Sequence, residues 1–175
     1  AAIDDWLTWL RPMLMDAYIN YMYLRKDIAP VYEEAGMPEA LLFAMIATES
    51  GGKVHAHSRA GATGLLQFMR YTGRRYGLTV EDGFDMRLDP AAATRANVAY
   101  LNDQFEVLND SLEKALAAYN GGPGRLDRIL RRYAEGEITH DGLFLEILDQ
   151  LPRETRHFVP RFLAAARIGQ DPASY

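Results

Sequence analysis

The sequence predicts an all-α domain, on three observations. Apolar residues recur at helical spacing through most of the chain. No run of alternating β-branched residues is long enough for a strand. Gly, Pro, Ser and Asn stand where helices start and stop. With 175 residues, 49% of them hydrophobic and 25% charged, the chain can bury one real core and is not a disordered segment.

The elements follow in order. Residues 3–24 form an aromatic-rich helical segment on Trp6, Trp9, Leu10, Leu14, Tyr18 and Tyr21, interrupted by Pro12. A short helix over 27–35 closes at Gly36. Pro38 then begins a helix over 38–50. Residues 51–64, with four glycines and two histidines, are an irregular connection. Leu65 to Tyr76 reads as helix, ending at Gly77. Asp89-Pro90 opens a long helix over 90–108 with Val98, Leu101, Phe105 and Leu108 inward. Helices are expected from Ser111 to Tyr119, from Pro123 to about Ala134, over 141–150, and over 153–168 with a kink at Pro160. Residues 1–26 read as an N-terminal helical segment and 27–170 as the main domain, together one compact unit.

Composition excludes several classes. A net charge of −5 argues against a nucleic-acid binder. The absence of cysteine excludes disulfides and thiolate metal ligands. No apolar run reaches the length of a membrane span, so no membrane association is visible. The chain starts at Ala1-Ala2 without an initiating Met, read as a mature form or an excised segment, which leaves export open. His55 and His57 lack a third ligand, so no metal is expected, and no cofactor motif is present. The N-terminal aromatics read first as core; the alternative is a contact patch for a cell-wall protein or a subunit.

Glu49 is the first candidate for chemistry. Leu42, Met45, Ile46 and Glu49 fall at i, i+3, i+4 and i+7, so the carboxylate continues an apolar stripe and faces a Gly-rich loop. An apolar wall disfavours the charged form of a carboxyl, as a general acid near neutral pH requires. Glu49 lies in the first of four blocks: Ala47-Thr48-Glu49-Ser50-Gly51-Gly52, Ser58 to Met69 with Gly64-Leu65-Leu66-Gln67 inside, Ala117 to Arg125 with Ala118-Tyr119-Asn120 inside, and Leu151 to Pro160 with Glu154-Thr155-Arg156 inside.

In this order the blocks resemble the catalytic domain of the lytic transglycosylases, which share a lysozyme-like helical fold and a glycan-binding groove with goose-type lysozymes. Thr72 to Leu78 looks most like the membrane-bound type D branch. The resemblance covers about 27–168. It implies cleavage of the β-1,4 bond between N-acetylmuramic acid and N-acetylglucosamine in peptidoglycan strands, in the periplasm or cell envelope, leaving a 1,6-anhydro end. It implies Glu49 as the single acid and then base, with help from the substrate's N-acetyl group. Ser58, Gly64, Leu65, Gln67, Tyr119, Asn120 and Glu154 are the implied glycan-binding residues. Read by their chemistry, Gln67 can donate to and accept from an acetamido group, Asn120 can hold its loop through local backbone bonds, and Glu154 is either a groove residue or a helix-end charge beside Arg156. Tyr119 is balanced between core and site. Gly52-Lys53-Val54, Arg70, Gly121 and His157 depart from the family pattern and leave glycan preference open. The rival readings are a lysozyme-like hydrolase and a glycan-binding scaffold without turnover.

Overall fold

A computed structural model describes residues 1–133 and 143–175. The chain is all-α. Among the described residues the only sheet is a hairpin pairing Val80–Glu81 (β1) with Phe84–Asp85 (β2). Contacts divide the chain into two units, Ala1–Ala99 with Arg161–Tyr175, and Tyr100–Pro160. The expected helix end near Ala134 and the helix start at 141 lie outside the described residues.

The first unit begins with α1 (Ala2–Leu7) and α2 (Arg11–Glu34). The sequence reading split this region in two, but α2 runs unbroken through residue 26. Pro12 does not interrupt it. It stands in the first turn, where backbone N–H groups have no helical partner to lose. Trp6, Leu10, Leu14 and Tyr21 are buried as core, and the Trp6 indole donates to Arg161 O at 2.8 Å. Trp9 and Tyr18 instead remain exposed, at 61% and 42%. The Trp9 ring lies 5.0 Å from the Arg161 guanidinium carbon.

Helix α3 (Glu39–Glu49) packs on α2. Residues 42–47 are all buried, so this helix is apolar on every side, wider than the single stripe expected. The rings of Tyr18 and Tyr21 meet Phe43 edge-on at 6.4 and 5.7 Å. Each fully buried Leu, Ile or Met contributes about 1.5–3 kcal/mol. Leu42, Met45 and Ile46 therefore hold the helix, and the position of its last residue, firmly.

The N-terminal end of α3 is tied by Glu39, which accepts from the Tyr21 hydroxyl at 2.6 Å and from Arg25. Arg25, then Tyr21, hold the Glu39 carboxyl below the usual carboxylate range, while burial beside this acid pushes the Tyr21 phenol up. A depressed carboxyl stabilises the fold above its unfolded pKa, and that contribution disappears as pH falls through the folded value. Both partners are more than a third exposed, so solvent screening keeps the contribution small. Glu39→Gln should therefore melt slightly below wild type at pH 7, and thermal scans at decreasing pH should show the gap closing below about pH 4. A gap unchanged down to pH 3 would disprove this linkage.

After α3 a connection over 50–69 leads to α4 (Arg70–Arg75), the hairpin, a 3₁₀ turn (Met86–Leu88) and α5 (Pro90–Val107). The expected helix over Leu65–Tyr76 forms only in its second half. Phe68 and Thr63 pair in an isolated bridge instead, and Gln67 takes a left-handed conformation that no continuing helix allows. Further into the unit, the Tyr32 hydroxyl donates to Asn97 Oδ1 in the core.

The second unit takes α5 from Tyr100, then α6 (Leu112–Gly121), α7 (Pro123–Tyr133), α8 (Leu143–Ile147), a 3₁₀ turn (Leu148–Gln150) and the start of α9 (Arg153–Gln170). Ser111 caps α6 by accepting the Lys114 N–H at 3.4 Å. Leu101 of α5 and Leu108 just beyond its end are buried as expected, while Phe105 is only half-buried; Tyr100, not anticipated, is buried and donates to Ala118 O at 3.0 Å. Pro160 lies inside α9, which continues through it.

Candidate active site

Glu49 is the last residue of α3 and half-buried, one residue beyond a run of wholly buried positions and a half-buried Thr48. Thr48 is held by its hydroxyl, which donates to Ala44 O at 2.7 Å. Ser50 ends the helix. Its N–H donates to Ile46 O at 3.1 Å, and its hydroxyl oxygen accepts the Gly52 N–H at 3.1 Å. Gly51 O in turn accepts from Asn20 of α2 at 3.0 Å. A side chain at position 52 would put its Cβ 2.5 Å from Asn20 Cβ, so the departure from the family pattern at Gly52 has a local cause. The carboxyl thus stands on a rigid helix end whose exit turn is pinned from α2.

The connection that follows is ordered by its own hydrogen bonds. Ser58 and Ala62 close a turn: the Ser58 N–H donates to Ala62 O at 2.9 Å, and the Ser58 hydroxyl oxygen accepts the Ala62 N–H at 3.0 Å. Ser58 is exposed, and its O–H hydrogen can still be donated outward. His57 bonds to Thr63 Oγ1 at 3.1 Å through Nδ1. Among the described residues no three His, Cys, Asp or Glu side chains gather as a metal-ligand set.

Gln67 has a φ of 54°. Its Nε2 donates to Ala56 O at 3.2 Å and Gly64 O at 2.9 Å. Both amide hydrogens are therefore engaged within the loop, and what the side chain can offer a ligand is its carbonyl oxygen. The expectation that it both donates and accepts narrows to accepting. Gln67→Glu should then fail. A carboxylate cannot donate to either carbonyl, and the repulsion and lost bonds should cost about 1–3 kcal/mol and lower glycan affinity, read by thermal melting and by titration with chitooligosaccharide.

Gly64 and Leu65 are both buried, Leu65 completely. The Leu65 side chain is core, so these two residues can serve a ligand only by shaping the backbone. Gly64 abuts the carbonyl of Arg87, which would lie 1.9 Å from any Cβ at this position. Arg87 itself is 8% exposed. Its Nη1 donates to Gly61 O and Phe68 O, each at 3.1 Å, while Nε and Nη2 grip Asp85, the latter at 2.7 Å. Arg87 holds the Asp85 carboxyl below its ordinary range. The sequence reading missed this residue. The readable signal was an arginine between Met86 and Leu88 with an acid two positions before it.

In the second unit Tyr119 is half-buried, edge-on to Tyr100 with ring centroids 5.0 Å apart. Asn120 reaches beyond its own loop. Its Oδ1 accepts from the buried Thr155 hydroxyl at 2.9 Å, which ties the end of α6 to the first turn of α9. Glu154 is exposed in that first turn. Its anticipated partner Arg156 turns instead to Asp149, at 3.6 Å.

Residues 31–141 match the family model of the transglycosylase SLT domain. This chain belongs to that family. As an SLT domain it is 33% identical over 156 residues to membrane-bound lytic murein transglycosylase D of Escherichia coli K12, a match covering 89% of this chain and 32% of that protein. It is 36% identical over 105 residues to the peptidoglycan transglycosylase gp16 of phage T7, covering 59% of this chain and 8% of gp16. Among solved structures, an inactive glutamate-to-glutamine mutant of the lytic transglycosylase Slt from Pseudomonas aeruginosa superposes with a TM-score of 0.67 at 27% identity, over 86% of this chain and 24% of that one. The 70 kDa soluble lytic transglycosylase of E. coli superposes at 0.62 with 25% identity, over 77% and 22%. The SLT domain here thus spans about a third, or less, of the length of these relatives. The type D resemblance read from Thr72 to Leu78 agrees with the first of them.

Proposed function

We propose that this chain is the catalytic domain of a peptidoglycan lytic transglycosylase with Glu49 as its acid and base. The observation that carries the reading is Glu49 itself: a half-buried carboxyl at the C-terminal end of a helix whose residues 42–47 are all buried, leading into a loop whose polar groups are locked in place. The names of the relatives support the substrate, and the inactive glutamate-to-glutamine variant of one solved relative supports a glutamate in the chemistry.

The reaction has two halves. Glu49 gives its proton to the glycosidic oxygen between N-acetylmuramic acid and N-acetylglucosamine. The bond from the muramic C1 to that oxygen breaks, and the bonding pair leaves with the N-acetylglucosamine as its 4-hydroxyl. The muramic C1 becomes cation-like, sheltered by the substrate's acetamido oxygen. Glu49, now a carboxylate, removes the proton of the muramic C6 hydroxyl, and O6 attacks C1. A 1,6-anhydro ring forms, the acid is regenerated, and no water is consumed. One carboxyl suffices because the acid of the first half is the base of the second, unlike the usual two-carboxylate arrangement.

Gln67 accepts from an acetamido N–H through its carbonyl, and Ser58 donates its hydroxyl to the glycan. Gly64 and Leu65 shape the loop. Tyr119 and Glu154 are assigned to glycan binding by the family resemblance alone, and Asn120 holds the end of α6. The substrate places the protein in the cell envelope. Mass spectrometry of purified sacculi digested by the chain tests the reading. Muropeptides lighter by one water and inert to borohydride reduction support it, and reducible ends would assign a lysozyme-like hydrolase instead.

A further inference from the structure

Arg87 is a nine-tenths buried cation outside every motif that pointed to the site. Taking a guanidinium out of water is costly unless its donors are satisfied and its charge is met. Asp85 meets the charge from two residues away, through Nε and Nη2. The remaining reach goes to two carbonyls distant in sequence, Gly61 O and Phe68 O. Those carbonyls bracket residues 62–67. Phe68 O also accepts the Thr63 N–H at 3.1 Å, so the guanidinium fixes the strand-like closure of the loop. The Arg87 main-chain carbonyl also abuts Gly64.

Inside this bracket stands Gln67, a non-glycine residue in the left-handed region. Such a conformation is strained and persists only where its surroundings over-determine it. Phe68, whose carbonyl Arg87 holds, is the next residue in the chain. Without that hold, Gln67 can relax to an ordinary conformation and withdraw its carbonyl from the ligand.

We propose that Arg87, anchored by Asp85, is a positioning residue that sets Gln67 and the Gly61–Phe68 loop in their glycan-gripping form. The assignment rests on the glycan-binding reading of Gln67 given above. Arg87 touches no substrate. It acts through the loop, so its loss should weaken binding rather than the chemistry of Glu49. A lysine cannot replace it, because one ammonium cannot present the planar fork that reaches the Asp85 carboxylate and both carbonyls together.

The test uses Arg87→Lys, Gln67→Ala and the double variant in the full chain, with Asp85→Asn as a second probe of the same anchor should Arg87→Lys not fold. Steady-state kinetics on sacculi and calorimetric titration with chitooligosaccharide are measured for each. The expected result for Arg87→Lys is a KM and dissociation constant raised about tenfold, equivalent to about 1.4 kcal/mol, with kcat within about threefold of wild type. Asp85→Asn should shift KM in the same direction by less. The double variant should bind no more weakly than the weaker single variant, since both act at one point. A merely structural residue behaves differently: fewer folded molecules lower apparent kcat and leave KM unchanged. That pattern, or additive losses in the double variant, overturns the assignment. A wild-type chain that neither binds nor cleaves glycan overturns the functional reading and this assignment with it. A wild type that binds, with Arg87→Lys and Asp85→Asn binding equally well, overturns the role of Arg87 alone.

Discussion

Replacing Glu49 with Gln is expected to lower cleavage of sacculi by on the order of 10²–10⁴-fold, the usual contribution of a positioned general acid–base group. The carboxamide keeps the size of the side chain. It can neither give a proton to the leaving oxygen nor take one from the C6 hydroxyl, so both halves of the reaction fail together. The fold should not notice. Glu49 is the last residue of α3, and the core side chains of that helix lie before it. The variant should fold, with turnover falling by far more than stability. Chitooligosaccharide binding should survive, because Ser58 and Gln67 keep their loop bonds. Sacculus clearance measured beside calorimetric titration separates the outcomes. Loss of turnover with retained binding is the expected pair. Wild-type turnover in the variant would remove Glu49 from the mechanism, and loss of binding together with melting would reduce it to a structural residue.

Gly64→Ala is expected to be among the most damaging of the small substitutions for stability. The new Cβ would lie 1.9 Å from Arg87 O and 2.8 Å from Arg87 C, both backbone atoms that cannot swing away. The position also has a φ of 86°, where an alanine is strained. Backbone strain of about 1–3 kcal/mol and a forced backbone shift of similar size together cost roughly 3 kcal/mol or more. For a chain of this length that lowers the melting temperature by roughly 6–12 °C. Gly61→Ala is the control: its φ of 93° is similarly strained, but nothing lies within 4 Å of its Cβ. It should lose only the strain contribution. Equal losses in the two variants would show that the contact with Arg87 carries no weight. The glycan affinity of whatever Gly64→Ala protein folds should fall too, since Gly64 O is one of the two acceptors of the Gln67 amide.

What the sequence made legible was what depends on near neighbours. The helix carrying Glu49 could be read because Leu42, Met45 and Ile46 repeat at helical spacing, and Ser111 and Pro123 marked helix starts for local reasons. The site motifs were recognisable as contiguous blocks. The errors have the opposite character. Leu65, Leu66, Phe68 and Met69 are apolar enough to suggest a helix, yet the backbone there is held by Ala56, Thr63 and an arginine about twenty positions away. Pro12 reads as a helix breaker until its place in a first turn is known. Asn120 has obvious local partners, but a buried threonine 35 residues later takes its carbonyl. Arg87 shows the same limit most clearly. Its chemistry is ordinary in sequence, and its importance comes from the two distant carbonyls that the fold brings to it.

The central claim is that Glu49 delivers the substrate's own C6 hydroxyl, and not water, to the anomeric carbon. Digestion of sacculi in heavy-oxygen water measures this directly. Every new muramic end should be a 1,6-anhydro ring free of the isotope, because neither half of the reaction takes an oxygen from solvent. Reducing ends carrying the heavy oxygen at C1 would contradict the account and make the enzyme a hydrolase.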